Sequence, residues 1–171
     1  SEWETGKVTN MYNMFNGAEE FNQDISEWET GKVTNMSYMF KGAAEFNQPI
    51  SGWETGEVTN MSYMFYHAAQ FIQDISGWDT SGVTNMSYMF LGAEAFNQNL
   101  RAWATGISPV ASFANMFHGS PVHTEHGIPG TPSKNDWQTY TWMFSDAELR
   151  SAVQMWLTDV SGALATYGDI K

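Results

Sequence analysis

The sequence predicts an α/β solenoid in which each 25-residue coil contributes one short helix and one short parallel strand. The first observation behind this prediction is an eight-letter word, VTNMSYMF, which occurs at 33–40, 58–65 and 83–90. The second is that an apolar spacing typical of a short helix is followed in each unit by an alternation typical of a strand. A fixed period of this length indicates a stack of similar units.

Four complete units and one divergent unit form the predicted solenoid over 1–120. The complete units are 1–25, 26–50, 51–75 and 76–100, and the divergent unit is 101–120. The divergent unit has two additional residues between Trp103 and Val110. We expect an irregular loop over 121–141 and a helical cap, or a lead-in to a further array, over 142–171. Ser145 and Glu148 have capping-box spacing there.

The helix of each coil is predicted from its apolar spacing. In the second unit, the positions i, i+3, i+4 and i+7 are Met36, Met39, Phe40 and Ala43. Thr34 or Asn35 can cap the start of this helix, and Gly42 lies where a left-handed C-terminal cap belongs. The strand is predicted over 46–50, where Phe46 and Ile50 share one face. One helix and one strand per coil is the plan of a leucine-rich-repeat solenoid.

Stacking places equivalent residues in columns, and the predicted structural ladder is aromatic. Its members are Trp3, Trp28, Trp53, Trp78 and Trp103, together with Phe15, Phe40, Phe65, Phe90 and Phe117. The Trp column either packs as core beneath the turns or forms an aromatic platform for sugar rings or a partner. The core interpretation is favoured because Trp is highly buried on average.

The motif W-(D/E)-T-x-x-V-T-N-M-S-x-M-F followed by F-N-Q, as in 78–98, resembles the BspA-like leucine-rich-repeat surface protein family. The resemblance covers 1–120, with departures at Tyr12, Asn13, His67 and Ile72. It implies a bacterial or protist protein at the cell surface or outside the cell, with a role in adhesion. It supplies no catalytic residues.

The candidate binding residues are amides and carboxylates that recur in columns: Asn22, Asn47, Asn97, Asp24, Asp74, Glu4, Glu29, Glu54 and Asp79. Like charges stacked about 5 Å apart repel unless the side chains splay or a cation intervenes. A Ca²⁺ ion bridging the acidic column is therefore one interpretation. A solvated acidic face without a cofactor is favoured because no D-x-D-x-D-G pattern is present.

Two further patterns suggest sites. Asn35, Asn60 and Asn85 fit the N-glycosylation pattern, although capping or bonding to the adjacent coil would hide them. Where the repeat breaks, three imidazoles and a carboxylate could hold Zn²⁺, and these belong to His118, His123, Glu125 and His126. Their irregular spacing in a Gly/Pro-rich stretch favours a solvated loop, so no metal site is assigned.

Composition argues against several functions. The net charge is −12 with only seven Lys and Arg, so neither nucleic acid nor an anionic membrane is an expected partner. No apolar run approaches the roughly 20 residues of a membrane span. Columns of identical residues make poor active sites, which need different groups at one point. We expect no enzyme activity.

The sequence therefore predicts a non-catalytic cell-surface or secreted module that adheres through a repetitive acidic and amide-rich face. Its expected partner is a protein, a glycan or the extracellular matrix. The alternative is a structural subunit of an extracellular fibre, in which copies of the chain bind one another head to tail through the solenoid ends. An adhesin should hide one end behind a cap, whereas a fibre subunit should leave two complementary apolar ends.

Overall fold

The computed structural model describes residues 3–108, 110–124 and 130–133, over which the repeats stack as successive coils. Isolated parallel bridges join equivalent residues of neighbouring coils, from Asn10 to Asn35, Asn60, Asn85 and finally Ser112. The last step is longer than the others because the divergent unit contains two additional residues. The 25-residue period is therefore the period of the stack.

The predicted α/β architecture is wrong. The described residues contain a 3₁₀ helix, Arg101–Thr105, and one four-residue α-helix, α1, at Pro121–Thr124. Neither the helix expected after each VTN nor the strand expected over 46–50 is present in the described part of the four complete units. Parallel pairing there consists of single bridge residues. The coils are chains of consecutive turns.

Alternate amides explain why no helix forms. The N–H groups of Tyr38 and Phe40 donate to the carbonyl oxygens of Ser62 and Met64 in the next coil, both at 2.9 Å. The N–H of Met39, which lies between them, closes a tight turn onto the carbonyl of Met36 at 3.3 Å. An α-helix needs every interior N–H for its own i−4 carbonyl. Half of these amides are instead used between coils.

Left-handed residues give each coil its turns. Tyr38, Tyr63 and Tyr88 have φ of 60°, 58° and 62°, and Gly42 has φ of 68°. A right-handed helix cannot run through such residues, and positive φ is uncommon outside glycine. The left-handed conformation expected of Gly42 is thus present without the helix that it was expected to cap.

The core is filled by the same positions in every coil. Phe65 is fully buried and stacks on Phe40 and Phe90, with 5.6 Å between ring centroids in both cases. It also stacks on Phe71 at 3.9 Å. Each buried indole donates to a backbone carbonyl 28 residues earlier, as when Trp53 Nε1 donates to the carbonyl of Ile25 at 3.2 Å. Apolar burial and hydrogen bonding therefore both act between coils.

A buried threonine column adds a second set of bonds between coils. The Oγ1 hydroxyls of Thr30 and Thr55 donate to the carbonyls of Glu54 and Asp79, both at 2.9 Å. Thr80 is equally buried, but its Oγ1 has no hydrogen-bond partner among the described residues. The divergent unit begins where that partner would lie, and its extra residues disrupt the repeat.

Valine substitutions in this column are expected to have unequal effects. Thr55→Val removes the hydrogen bond from the Thr55 hydroxyl to the carbonyl of Asp79 in the next coil. It should lower the free energy of unfolding by about 1–3 kcal/mol, as loss of a buried hydrogen bond does. Thr80→Val removes a buried hydroxyl that has no partner, so stability should be unchanged or higher. Urea unfolding of the two variants checks this, and equal losses would contradict it.

The two ends of the described stack differ. The N–H of Phe117 donates to the carbonyl of Gly130 at 3.0 Å, and the N–H of Asn115 donates to Thr131 Oγ1 at 2.7 Å. The segment 130–133 thus takes the place of a further coil against the divergent unit. At the opposite end, the Trp3 side chain is 70% exposed.

Candidate interaction face

The acidic column lies on the W-(E/D)-T turns that open each coil. Glu4, Glu29, Glu54 and Asp79 are all exposed, whereas the threonine that follows each of them is buried. Each turn is closed by a hydrogen bond from a backbone N–H to the carbonyl three residues earlier, as from Val33 to Thr30 at 2.9 Å. A buried side chain and a closed turn hold each carboxylate in the same position in its coil.

Glycines make room for these carboxylates. A Cβ atom added at Gly6 would overlap the carboxylate of Glu29, and one added at Gly31 would overlap that of Glu54. The side chains of Glu29 and Glu54 therefore lean back across the turn of the preceding coil, and an added Cβ at Gly56 would be in ordinary contact with Asp79 Oδ2, at 3.5 Å. The carboxylates form a continuous row along the stack.

Shallow grooves recur beside this row. Trp28, Glu29 and Glu54 line one groove, and Trp53, Glu54 and Asp79 line the next. Neighbouring grooves share a carboxylate, so the chemistry repeats with the coil. Such a surface can hold a ligand whose own groups repeat.

The Trp column belongs to the core over most of its length. Trp53, Trp78 and Trp103 are buried, Trp28 is half-buried and only Trp3 is exposed. Successive indoles from Trp28 to Trp78 are nearly parallel, with centroids 6.3–6.4 Å apart. The exposed ring face suited to a sugar is therefore confined to the first coil.

The amide column joins coils. Asn22 Oδ1 accepts the N–H of Asn47 at 3.0 Å and Nε2 of Gln48 at 2.8 Å. Asn47 Oδ1 accepts the next pair in the same way, from the N–H of Ile72 and from Nε2 of Gln73. These carbonyl oxygens replace the strand pairing expected over 46–50. Asn97 is exposed at the equivalent position of its coil.

Ile72→Asn is expected to stabilise the stack. Ile72 interrupts the amide column, and its side chain is 44% exposed to solvent. An isoleucine side chain also has no atom that can accept a hydrogen bond. An asparagine there could accept bonds as Asn22 and Asn47 do, each worth about 0.5–1.5 kcal/mol net. Thermal unfolding should show a higher midpoint. Ile72→Ala is the control, because it removes the exposed side chain without adding the amide.

Comparison with known families identifies the chain. The family described as "Mycoplasma protein of unknown function, DUF285" matches residues 1–103 and, in a second overlapping match, residues 49–156. The chain belongs to the DUF285 family. DUF285 is a BspA-like repeat family, and the two matches fit a tandem repeat. No curated protein and no solved structure matches the chain.

Aspartate side chains shape several turns of this DUF285 chain. Asp24 and Asp74 are exposed, and each Oδ1 accepts the backbone N–H of the serine two residues on, at 2.9 Å. These backbone bonds, followed by the serine hydroxyls, lower the pKa of both carboxyls. Bonds from the hydroxyl and then the N–H of Ser81 lower the pKa of Asp79. These three carboxyls are therefore charged at neutral pH.

The glycosylation candidates occupy similar turns. Asn35, Asn60 and Asn85 are half-buried, and each Oδ1 accepts the N–H of the serine two residues on at 2.9–3.0 Å. They form turns at the bridge positions instead of capping helices.

The histidine cluster is described only in part. His118 is exposed, whereas the His123 side chain, Glu125 and His126 lie outside the described residues. Among the residues that are described, no three His, Asp or Glu side chains converge as metal ligands. No described helix of this DUF285 chain is long and apolar enough to cross a membrane.

A tyrosine strip is a surface feature that the sequence analysis missed. Tyr63 stacks between Tyr38 and Tyr88, with centroids 4.5 and 4.6 Å away. Lys41 Nζ lies 5.4 Å from the ring centroids of both Tyr38 and Tyr66. Burial, and then neighbouring tyrosines, raise the pKa of Tyr63. The sequence signal for this strip is the Tyr that recurs in each MSYMF, at a position that is not one of the apolar positions of the predicted helix.

Proposed function

We propose that this DUF285 chain is a non-catalytic interaction module, secreted or at the cell surface, that adheres through its acidic row. The observation that carries the proposal is the recurrence of an exposed carboxylate at the same place in four successive coils, from Glu4 to Asp79. The resemblance to BspA-like surface proteins supports the location and the adhesive role.

The amide column contributes less to this surface than the sequence suggested. The Oδ1 atoms of Asn22 and Asn47 are engaged in bonds between coils. The carboxylates of the W-(E/D)-T turns, in contrast, stand in solvent beside shallow grooves. The adhesive face of the proposal is therefore acidic, with the amide side chains as its structural support.

Charge favours a partner with repeated positive groups. The chain carries a net charge of −12, and its carboxylates are spaced by the coil repeat. Complementary charge accelerates encounter and selects partners, and weak contacts that repeat along a surface gain through multivalency. A basic protein segment or matrix protein fits this description better than a neutral glycan does.

The fibre remains the alternative function. Its supporting observation is the exposed first coil, where Trp3 and Met14 are 70% and 37% exposed. A head-to-tail fibre also needs a complementary second end. Within the described residues, the divergent unit is covered by 130–133 instead.

A pair of triple variants tests the proposal. The face variant carries Glu29→Gln, Glu54→Gln and Asp79→Asn. The matched control carries Glu20→Gln, Glu45→Gln and Glu94→Gln, which are exposed at other positions of the coil and change the net charge equally.

Both variants should be applied, with the unmodified chain, to an array of basic peptides, matrix proteins and glycans over a salt series. We expect the face variant to lose at least tenfold in affinity for whichever probes the unmodified chain binds, and the control to lose much less. Equal losses would mean that net charge alone is responsible. Full retention by both variants would overturn the acidic row as the adhesive face.

A further inference from the structure

The tyrosine strip lies on the inner side of a curved stack. Its neighbouring ring centroids are 4.5–4.6 Å apart, whereas the column of Phe40, Phe65 and Phe90 repeats at 5.6 Å and the Trp column at 6.3–6.4 Å. Rings within each column are parallel to within 13°, so these distances are the displacements of equivalent groups between coils. When similar coils repeat by one rotation and translation, the displacement is smallest nearest the rotation axis. The strip therefore lies on the concave face, which stacked-repeat proteins use for binding.

The backbone does not require tyrosine in this strip. Asn13 and Asn115 occupy the same position in their coils, with φ of 62° and 51°, close to the 58–62° of the tyrosines. Asparagine adopts the left-handed conformation more readily than a bulky residue does. Residues held in such a conformation concentrate at functional sites. Three tyrosines that the turns do not need therefore indicate a binding role.

The hydroxyls of these rings are open to solvent. Within the described part of the chain, the hydroxyls of Tyr38, Tyr63, Tyr66 and Tyr88 form no hydrogen bond. They are not buried either, because the one buried side-chain polar atom that lacks a partner there is Thr80 Oγ1. The stacked rings cover one another's faces. A ligand therefore meets ring edges and a row of hydroxyls.

Lys41 places a positive charge in the strip. Its Nζ lies 5.4 Å from the ring centroids of Tyr38 and Tyr66 and 6.0 Å from that of Tyr63. The faces of aromatic rings attract a cation at such distances and so hold the ammonium in place. Among the residues that the structure describes, Lys41 forms no salt bridge. Its charge is therefore available to an anionic ligand.

His67 replaces a glycine at a left-handed position beside the strip. It has φ of 53°, where Gly42 and Gly92 have 68° and 66°. Its ring lies edge-on to Tyr66, with centroids 4.4 Å apart, and a Cβ added at Gly92 would overlap it. Tyr66 in turn lies 5.5 Å from Tyr63, between ring centroids. His67 is exposed, so the core does not need its ring, and the exchange adds an imidazole next to the phenol hydroxyls.

We propose that the tyrosine strip, with Lys41 and His67, binds an acidic sugar that carries a single carboxylate or sulfate. The ammonium pairs with the anionic group, and the phenol hydroxyls, which both donate and accept, bond to sugar hydroxyls. The net charge of −12 repels long polyanions, which favours a single acidic group. An extended peptide presents groups on one side only every two residues, about 6.6 Å, and fits rings 4.5–4.6 Å apart poorly.

NMR titration of the isotope-labelled chain tests the proposal with sialyllactose, a glucuronic acid disaccharide, sulfated lactose and lactose. We expect at least one acidic sugar to bind about tenfold more tightly than lactose and to shift the resonances of the strip. The carboxylate and sulfate sugars show which anion is preferred. Absence of binding, or equal binding of all the sugars, would overturn the proposal. A glutamate-rich peptide that binds as tightly as the acidic sugars would also overturn it.

Lys41→Gln should weaken binding of the acidic sugar about tenfold, because it removes the charge that pairs with the anion. Lys32→Gln is the matched control, since it removes the same charge from an exposed residue close to the acidic row. The control should bind as the unmodified chain does. Equal losses in the two variants would show an effect of net charge alone and contradict the site.

Two further variants separate binding from stability. Tyr63→Asn and His67→Gly introduce residues that other coils carry at the same left-handed positions, so both chains should fold. We expect each to bind the acidic sugar about threefold more weakly, as loss of a hydrogen-bonding group does. The thermal unfolding midpoint of His67→Gly should be unchanged or higher. Unchanged affinity in both variants, or a lower midpoint for His67→Gly, would contradict a binding role.

The acidic row is independent of this site. The variant with Glu29→Gln, Glu54→Gln and Asp79→Asn should bind the acidic sugars as the unmodified chain does. These sugars are not probes for the acidic row, which selects ligands of the opposite charge. Failure of the sugar site is therefore distinguishable from failure of the adhesive face.

Discussion

Phe65→Ala is expected to lower the free energy of unfolding by about 3–5 kcal/mol, the usual cost of removing a buried phenylalanine. Phe65 is fully buried and contacts rings in its own coil and in the coils on both sides. The stability of a stack is approximately the sum of the stabilities of its units and of the interfaces between them. The cavity left by the missing phenyl ring therefore weakens two interfaces at once. Urea unfolding followed by Trp fluorescence measures the loss.

Phe15→Ala is the matched control for this prediction. Phe15 occupies the same column in the first coil, where it is half-buried; among the described residues, its ring contacts in other coils are with Trp28 and Phe40 of the second coil. Its replacement should therefore cost clearly less. Equal losses at the two positions would contradict the account of a core built between coils.

Tyr63→Pro is expected to cost more than about 3 kcal/mol and to unfold the centre of the stack, because proline fixes φ near −65° and has no N–H. Tyr63 has φ of 58°, and its N–H donates to the carbonyl of Ser87 at 3.0 Å. Proline removes both the conformation and the bond. Circular dichroism and thermal unfolding should show the loss.

Tyr63→Gly separates the backbone from the ring. Glycine keeps the N–H and adopts positive φ readily, so the change removes the ring contacts with Tyr38, Tyr66, Tyr88 and Lys41 and keeps the backbone bond. We expect a smaller loss than for proline. A helix through this segment predicts something different for Tyr63→Ala, which should then be more stable than Tyr63→Gly. In the left-handed conformation, alanine should be the less stable of the two.

Much of the stack could be predicted from the repeat. The positions expected inside, such as Met36, Met39 and Phe40, are buried. What was predicted wrongly is the backbone conformation of these residues, which form turns and not a helix. Turns that close every three or four residues bury the same positions as a helix does, so apolar periodicity alone does not distinguish the two. The decisive difference is whether the N–H of Tyr38 bonds within its own coil or to the next one.

Only part of the candidate site could be predicted from the sequence. Carboxylates such as Glu29 were placed in one column by the period, and the structure shows that column exposed. The period could not show that Asn22 and Asn47 are engaged between coils, because an amide can serve either a ligand or a neighbouring backbone. The tyrosine strip around Lys41 was missed because tyrosine was not part of the helical spacing.

The most direct test of the account is to measure scalar couplings across hydrogen bonds by NMR on the isotope-labelled chain. Each coupling joins an amide nitrogen to the carbonyl carbon of its acceptor. The structure predicts couplings from Tyr38 to Ser62 and from Phe40 to Met64, between neighbouring coils. Couplings from these amides to carbonyls four residues earlier, as in an α-helix, would contradict the account.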